Sequence, residues 1–542
     1  MSENRQTYFV CPAPPCPNGK LHLGHIGGVY LLADIFVRYQ RMIGHVAYHV
    51  TGADEHGTYT LVKARKLGRS VDDVAQMHID EILQCLRAVH IAPDVFVRTS
   101  SEEHKQRSLA IYEELDAAGY IELRDAEQLY CESCDEFAAD SLAVGKCPAC
   151  NAATDSNLCE NCGLAIQHSL LRNPVHTPCG HALTLRPIRQ AHFNFERLAP
   201  TMDRAIEASG WSDAIKHKEI EWLRTELRAL PMSRHFDRGV TLVAPAEVAG
   251  QTLLTWFEGL WCFETGIEHI CKQNGADYDD AMRSPNTKIL FFMGQDNRFY
   301  YTVGVTASLL ARGYAIPHNH AIQDYYKLEG AKFSTGRDHA MWADEVARDI
   351  DPSVLRYYLA RIAKAFGTDD NDFQIEGLVG AAARIHIFET ALRKHAGSSA
   401  KLTVDTLKPE RVRDVERYSE AMHETRVWAA LDAIDAFFEG GGLARNEAGA
   451  SATEISVFLS MLHPVVPVLA ARYGEFFFGA GWRPGLDNCA VWPSPDTLSV
   501  MDAPLFSDPI PEAFIAAYER RFRAAPTTTQ SSVMGPRSSS PL

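Results

Sequence analysis

Hydrophobic and polar positions change rhythm three times along this chain. Residues 7–115 alternate short apolar runs with stretches of helical spacing. Tyr8-Phe9-Val10 predicts a buried strand, and the four prolines and Gly19 between Cys11 and Lys20 break it into a turn. Ile26, Val29, Tyr30, Ala33, Phe36 and Val37 then recur on one helical face. Val46–Val50 predicts a second strand, followed at once by Thr51-Gly52-Ala53-Asp54-Glu55-His56-Gly57. Near Gly119 the texture turns irregular and cysteine-rich. Strand-like runs return at Val240–Val243, Leu253–Phe257 and Ile289–Met293, the last followed by Gly294-Gln295-Asp296. Beyond Asp351 the spacing predicts helices near Pro352–Phe366, Glu376–His395, Pro409–Phe438 and Ala452–Phe477.

This order predicts an α/β fold, a doubly wound parallel sheet interrupted by an insertion of about 120 residues and followed by a C-terminal α-helical bundle. We place the sheet domain at 1–115 and 236–325 and the insertion at 116–235. A loop and connecting region then covers 326–375, the bundle 376–523 and a Pro/Ser/Thr-rich, disordered tail 524–542. There is no internal repeat. Polar residues beyond a strand's carboxyl end mark the crevice where open α/β sheets bind ligands.

Composition narrows this picture. The net charge of −16 over 542 residues argues against a broadly basic protein that coats nucleic acid, though not against a local basic track. No run of about 18 apolar residues occurs, so no membrane span and no membrane partner are expected. The polar N-terminus does not resemble a signal peptide, and a cytoplasmic location is expected. Of 13 cysteines, seven cluster between Cys131 and Cys179. Without a signal sequence, that pattern reads as metal binding in a reducing compartment.

The pairs are Cys131/Cys134, Cys147/Cys150, Cys159/Cys162 and His176/Cys179. Eight ligands suffice for two tetrahedral zinc sites. We expect them nested, with Cys147, Cys150, Cys159 and Cys162 on one ion and Cys131, Cys134, His176 and Cys179 on the other. Neither leaves an open position, so the expected zinc is structural. The remaining cysteines are scattered, with Cys11, Cys16 and Cys262 near the expected pocket.

Two further segments suit phosphate chemistry. His22-Leu23-Gly24-His25 sits where the first strand hands over to a helix, so imidazoles and backbone N–H groups converge at a helix start. Glu329-Gly330-Ala331-Lys332-Phe333-Ser334-Thr335-Gly336-Arg337 combines two glycines with a lysine, two hydroxyls and an arginine, as a loop that closes on polyphosphate would.

Together these features resemble a class I aminoacyl-tRNA synthetase of the methionyl type. The resemblance rests on Cys11 to His25, Ala33-Asp34, Arg38 to Met42, Gly44-His45, Asp54 to Gly57, the cysteine knuckles, Ser233-Arg234, Trp256, Gly294 and Asp296. His22–His25 matches the family's HIGH motif and Lys332–Gly336 its KMSKS loop. The resemblance covers about residues 7–400 and implies a Rossmann-type catalytic domain. It assigns ATP to His22, Gly24, His25, Gly294, Asp296, Lys332 and Ser334, with His22, His25, Lys332 and Ser334 as the catalytic set. It assigns the amino acid to Ala13, Asp54, Trp256, Gly259, Leu260, Phe263, Asn297, Tyr300 and Tyr301. ATP would bring magnesium with it. The implied reaction is attack of an amino-acid carboxylate on the α-phosphate, giving an aminoacyl adenylate and pyrophosphate, with catalysis by positioning and charge stabilisation.

Departures from the family pattern cluster in three places. Family Ala-Leu-Pro-Tyr becomes Pro12-Ala13-Pro14-Pro15, with Cys16 inserted. Family Trp-x-Asp-Ala-Pro becomes Trp256-Phe257-Glu258-Gly259-Leu260, with Phe263 for the later tyrosine, Trp261 nearby and Tyr301 for a histidine. Thr335 stands where the loop's second lysine belongs. At the anticodon end, Glu389 with Arg393 stands where the family has an asparagine and an arginine four apart, and Leu443 where it has a tryptophan; an aromatic platform there would stack a base, and Glu389 would repel phosphate. These changes favour an adenylating ligase that passes its product to a small hydroxylamine or amine acceptor in a natural-product, N–N-forming pathway. The chain has no cupin of its own, so a cupin would be a separate partner. The alternative is an ordinary methionine–tRNA ligase with tRNA as acceptor. A non-catalytic binding module is a third reading, opposed by the intact motif residues.

Overall fold

Five strands form one parallel sheet in the order Asn319–Gln323, Thr287–Gly294, Thr7–Pro12, Val46–Ala53, Val95–Arg98. This computed structural model describes residues 5–154, 159, 166, 168–225, 229–333, 339–364, 366–368, 371–396, 406–445, 451–486 and 510–523. The chain's first strand is central, with Val10 aligned to Leu290 on one side and His49 on the other. Alternate residues enter opposite cores. Phe9 packs with Phe291 and Met293, and Val10 with Leu290 and Phe292. Both faces are therefore covered, which is why these strands read as continuous apolar runs.

The second and third strands run to one side of the first, and the last two lie on the other. The order thus reverses between Thr7–Pro12 and Thr287–Gly294, and the crevice at their carboxyl ends receives the loops that carry His22 and Asp296.

The insertion carries a four-stranded antiparallel sheet, built on the paired strands Ile121–Cys131 and Thr184–Asn194, and a smaller three-stranded sheet. Buried Arg356 joins the first helical layer to the bundle. Its guanidinium donates to Asp34 Oδ2 at 2.7 Å and to the carbonyls of Val89, Pro464 and Val465. Among the described residues no helix is long and apolar enough to cross a membrane.

Several expected elements differ. Val240–Val243 is a loop with one isolated bridge, Thr241 to Thr252, and Leu253–Phe257 is a strand end followed by the short helix Thr255–Glu258. A buried helix of one turn shows the same apolar run as a strand, so periodicity misassigned it. The expected helix Pro409–Phe438 is two, Pro409–His423 and Val427–Gly440, broken at Thr425 with a φ of 59°. Ala452–Phe477 is likewise Ala452–Leu462 and Pro467–Phe478, separated where Pro464 and Pro467 interrupt the backbone ladder. A further helix, Glu512–Phe522, packs on the connecting region, where Tyr518 meets Phe373. The tail 524–542 lies outside the described residues.

Candidate active site

A cavity of about 500 Å³ opens at the sheet's switch point. Its walls come from four directions. The Pro-rich turn after the first strand gives Ala13 to Cys16, and the following helix start gives His22, Gly24 and His25. Asp54 and Gly57 end the second strand, and Gly294, Asp296 and Asn297 end the fourth.

His22 caps the helix start, with Nδ1 accepting from the His25 N–H at 3.2 Å. The two rings stack at 3.7 Å between centroids, and Phe333 stacks on the far face of His22 at 5.0 Å. The site is close around Gly24: a Cβ would sit 3.1 Å from the His22 ring and from Tyr326 Cβ, so both would have to yield slightly. Desolvation lowers both imidazoles, His22 well below its ordinary value with the neighbouring His25 and Lys332 adding to the shift, and His25, which keeps an exposed face, in the same direction. Both are neutral at pH 7 and each keeps one N–H to donate.

Asp54 presents a buried Oδ1 with no hydrogen-bond partner among the described residues. Burial and then the nearby Glu258 raise its carboxyl to about 7. Such an acceptor, aimed into a cavity, suits a ligand ammonium. Gly259 lies beside it: a Cβ there would clash with the Thr255 carbonyl at 2.7 Å and make an ordinary contact with Asp54 Cγ at 3.5 Å. Behind Asp54, fully buried Glu258 accepts from His56 Nδ1 and His104 Nε2, both at 3.0 Å. Despite burial these partners hold Glu258 down at about 2, and Glu258 raises His56. Lys332 lies over the Tyr325 ring at 3.5 Å, on the cavity's outer rim.

The resemblance's nucleotide set lines the cavity at His22, Gly24, His25, Gly294, Asp296 and Lys332. Ser334, with Thr335 to Arg337, lies outside the described residues. The amino-acid set lines it at Ala13, Asp54, Trp256, Gly259, Leu260, Asn297 and Tyr301. Phe263 and Tyr300 do not line it. Phe263 packs edge-on against Phe291 at 5.0 Å, and Tyr300 stacks behind Trp256 at 4.6 Å. Adjacent residues of the turn Tyr300–Val305 diverge around the helix axis, so only Tyr301 faces inward. Trp261 is also buried, against Phe257. Of the pocket cysteines, Cys16 lines the wall, while Cys11 and Cys262 are buried and absent from it. Glu264 and Arg298 are in internal ion pairs, Glu264 with Arg312 and Arg298 with Glu219, each at 2.6 Å.

Sequence reasoning missed Gln323 to Tyr326, Phe333 and Asp140 as cavity residues. Gln323 ends the fifth strand, so its place beyond a strand end was the available signal. Asp140 comes from the insertion, where Arg234 pairs with it at 2.5 Å, and no local pattern marks it.

In the insertion, the ligand atoms of Cys131, Cys134, His176 and Cys179 lie within 4.8 Å of one another, as do those of Cys147, Cys150 and Cys159. Cys162 lies outside the described residues. The Sγ–Sγ distances Cys131–Cys179 and Cys150–Cys159 are both 3.6 Å. Sulfurs about 2.3 Å from a tetrahedral zinc are about 3.8 Å apart, so both groups fit that ion. Among the described residues the ligands divide as the nested arrangement expects.

A family model described as tRNA synthetases class I (M) matches residues 8–383. The methionine–tRNA ligase of Christiangramia forsetii is 31% identical over 381 residues, 69% of this chain and 55% of its own length. That of Methanobrevibacter smithii is 30% identical over 352 residues, 65% of this chain and 53% of its own. The chain therefore spans about half the length of these curated relatives. A crystal structure of Mycobacterium tuberculosis methionyl-tRNA synthetase bound by methionyl-adenylate superposes with a TM-score of 0.71 at 17% identity, covering 92% of this chain and 100% of that one. At that identity the likeness speaks to the fold.

Proposed function

Because this chain belongs to the class I (M) tRNA synthetase family, we propose that it joins an amino acid to ATP as an aminoacyl adenylate and passes the acyl group to tRNA. The observation that carries the first step is one cavity holding two neutral imidazoles at a helix start and an unpartnered Asp54 carboxylate oxygen.

In this reading Asp54 accepts the α-ammonium, and Trp256, Leu260, Ala13 and Tyr301 enclose the side chain. The carboxylate oxygen attacks the α-phosphorus, the Pα–O bond to the β-phosphate breaks, and its electron pair leaves on pyrophosphate. Neutral His22 and His25 donate N–H bonds to phosphate oxygens without needing a proton first, and Lys332 faces the charge that grows on the leaving group. ATP arrives as its magnesium complex, the metal offsetting part of the phosphate charge. Cys131, Cys134, His176 and Cys179 would hold one zinc, and Cys147, Cys150 and Cys159 would supply ligands to a second, and both ions would brace the insertion structurally. Asp140 reaches the cavity from that insertion.

Methionine is the amino acid and tRNA the acceptor named for the curated relatives, which supports both here. One observation favours a second reading, a small hydroxylamine or amine acceptor. Glu389 is buried and accepts from the Tyr473 hydroxyl at 3.0 Å, and Leu443 is buried too, so neither candidate anticodon position presents a surface. The test is ATP–pyrophosphate exchange with each of twenty amino acids, without tRNA. Exchange with methionine alone, followed by charging of tRNA, is the expected result. Exchange with another amino acid overturns methionine as the donor, and charging of hydroxylamine but not tRNA moves the acceptor to the second reading. Silence from folded, zinc-loaded protein overturns adenylate formation.

A further inference from the structure

The hairpin that carries Lys332 is held from outside the sheet domain. Its strands Lys327–Leu328 and Ala331–Lys332 pair Lys327 with Lys332 and Leu328 with Ala331, leaving a two-residue turn of Glu329 and Gly330. Both have positive φ, 50° and 78°. That conformation suits hairpin twist but disfavours a residue with a Cβ, and Asn, Asp or Gly is the usual occupant of the first position. A glutamate persists there when something else fixes it.

Two things hold it: the helix Glu512–Phe522 with the residue after it, and the segment 373–375, whose Phe373 carbonyl accepts from the Glu329 N–H at 3.1 Å and whose Ile375 N–H donates to Glu329 Oε1 at 3.4 Å. The Tyr518 hydroxyl donates to Glu329 Oε1 at 2.7 Å, and Arg523 pairs with the same carboxylate at 2.9 Å. Arg523 also pairs with Glu376 at the start of the helix Ile375–Ala396, which ties the grip to the bundle. Tyr518 is 3% exposed and packs against Phe373 with ring centroids 6.2 Å apart. Phe522 meets His339 edge-on, and His339 Nε2 hydrogen-bonds the Leu328 carbonyl at 2.8 Å. On the opposite side the Gly330 N–H donates to Asp372 Oδ1 at 3.0 Å. The turn is therefore clamped on two sides, three residues from the lysine at the cavity rim.

We propose that the helix Glu512–Phe522 is a latch for the phosphate-binding hairpin, with Glu329, Tyr518 and Arg523 as positioning residues that set where Lys332 meets the triphosphate. This rests on the adenylating reading for its kinetic consequence, but the latch itself is a structural claim. A hairpin that spends only part of its time in place lowers apparent ATP affinity by that fraction and leaves the amino-acid pocket alone.

The test uses the full chain with Tyr518→Phe, Arg523→Ala, Arg523→Lys and Glu329→Gly. Tyr518→Phe and Arg523→Ala are expected to raise KM for ATP about fivefold to tenfold in pyrophosphate exchange, with KM for the amino acid unchanged. Arg523→Lys should recover most of the loss. Glu329→Gly separates turn from latch: it relieves the backbone but removes the carboxylate, so KM for ATP should still rise. A wild-type KM in Glu329→Gly, or equal rises in both KM values across the series, overturns the latch. Amide hydrogen exchange keeps the two proposals apart. Arg523→Ala should speed exchange across residues 327–333 by about tenfold. If that segment is unaffected the latch fails whatever the activity, whereas faster exchange in a protein with no pyrophosphate exchange sinks only the adenylating reading.

Discussion

Replacing Asp54 by asparagine should make the protein more stable and its amino-acid site worse. Burial lifts the Asp54 carboxyl from 3.8 in the open chain to about 7 in the fold. A group bound more tightly to its proton when folded costs stability as pH rises. The cost is absent below about pH 4, grows between pH 4 and 7, and is full above that. At about 1.4 kcal/mol per tenfold in proton affinity the full cost is about 4 kcal/mol, and water in the open cavity reduces it to about 2 kcal/mol. A neutral amide carries no such cost, so the Asp54→Asn variant should melt higher than wild type at pH 8 and equally at pH 4. Its binding should move the other way. The ammonium loses a charged acceptor, so kcat/KM for the amino acid should fall about a hundredfold at pH 8. In the wild type kcat/KM should climb with pH to a plateau above about 7, and in Asp54→Asn that climb should vanish. Differential scanning calorimetry and pyrophosphate exchange over pH 5–9 read both signs. A variant that melts lower at pH 8 refutes the burial argument. A wild-type kcat/KM refutes the assignment of the ammonium to Asp54.

Other expectations are simpler. His25→Ala removes one neutral donor from the phosphate side, and kcat for exchange should drop about a hundredfold or more while melting stays near wild type; unchanged kcat would remove His25 from the chemistry. Purified protein should hold two zinc equivalents by elemental analysis, and Cys131→Ser should lower that to about one. Full occupancy in the variant would mean the grouping is wrong. If tRNA is the acceptor, kcat/KM for tRNA should fall steeply between 50 and 200 mM salt, about fiftyfold for a handful of phosphate contacts. Charging that ignores salt would point to a small-molecule acceptor.

Much of the fold was legible because its cues are short-range. The first strand, the proline break and the helical face after His25 are all read within about 30 residues. The structure puts them where periodicity does, with the strand two residues longer at its carboxyl end. Reading failed where one pattern serves two structures. Leu253–Phe257 is apolar because it is buried, and a buried turn of helix is as apolar as a buried strand. It failed again for partners far apart in the chain. Nothing around Glu329 announces Tyr518, 189 residues later, or around Asp140 announces the cavity.

The amino-acid pocket shows the same limit in finer grain. The resemblance marks Glu258, Gly259, Phe263 and Tyr301 as separate departures, but the structure couples the first two. Glu258 spans the gap between His56 and His104, bonding one with each carboxylate oxygen. An aspartate there is one methylene shorter and would leave a buried imidazole without its acceptor unless the helix Thr255–Glu258 moved inward. Gly259 bears on such movement, since a Cβ there would press on the Thr255 carbonyl at 2.7 Å and touch Asp54 Cγ at 3.5 Å. A longer carboxylate and a smaller neighbour are thus one adjustment of that helix against Asp54, the residue proposed to hold the ammonium. Phe263 belongs to a different layer, packed on Phe291, whereas Ala13, Cys16, Gly259, Leu260 and Tyr301 change the wall that a side chain would touch. Selectivity in this pocket should therefore follow the wall residues, and Glu258 and Gly259 should behave non-additively when exchanged singly for the family's residues.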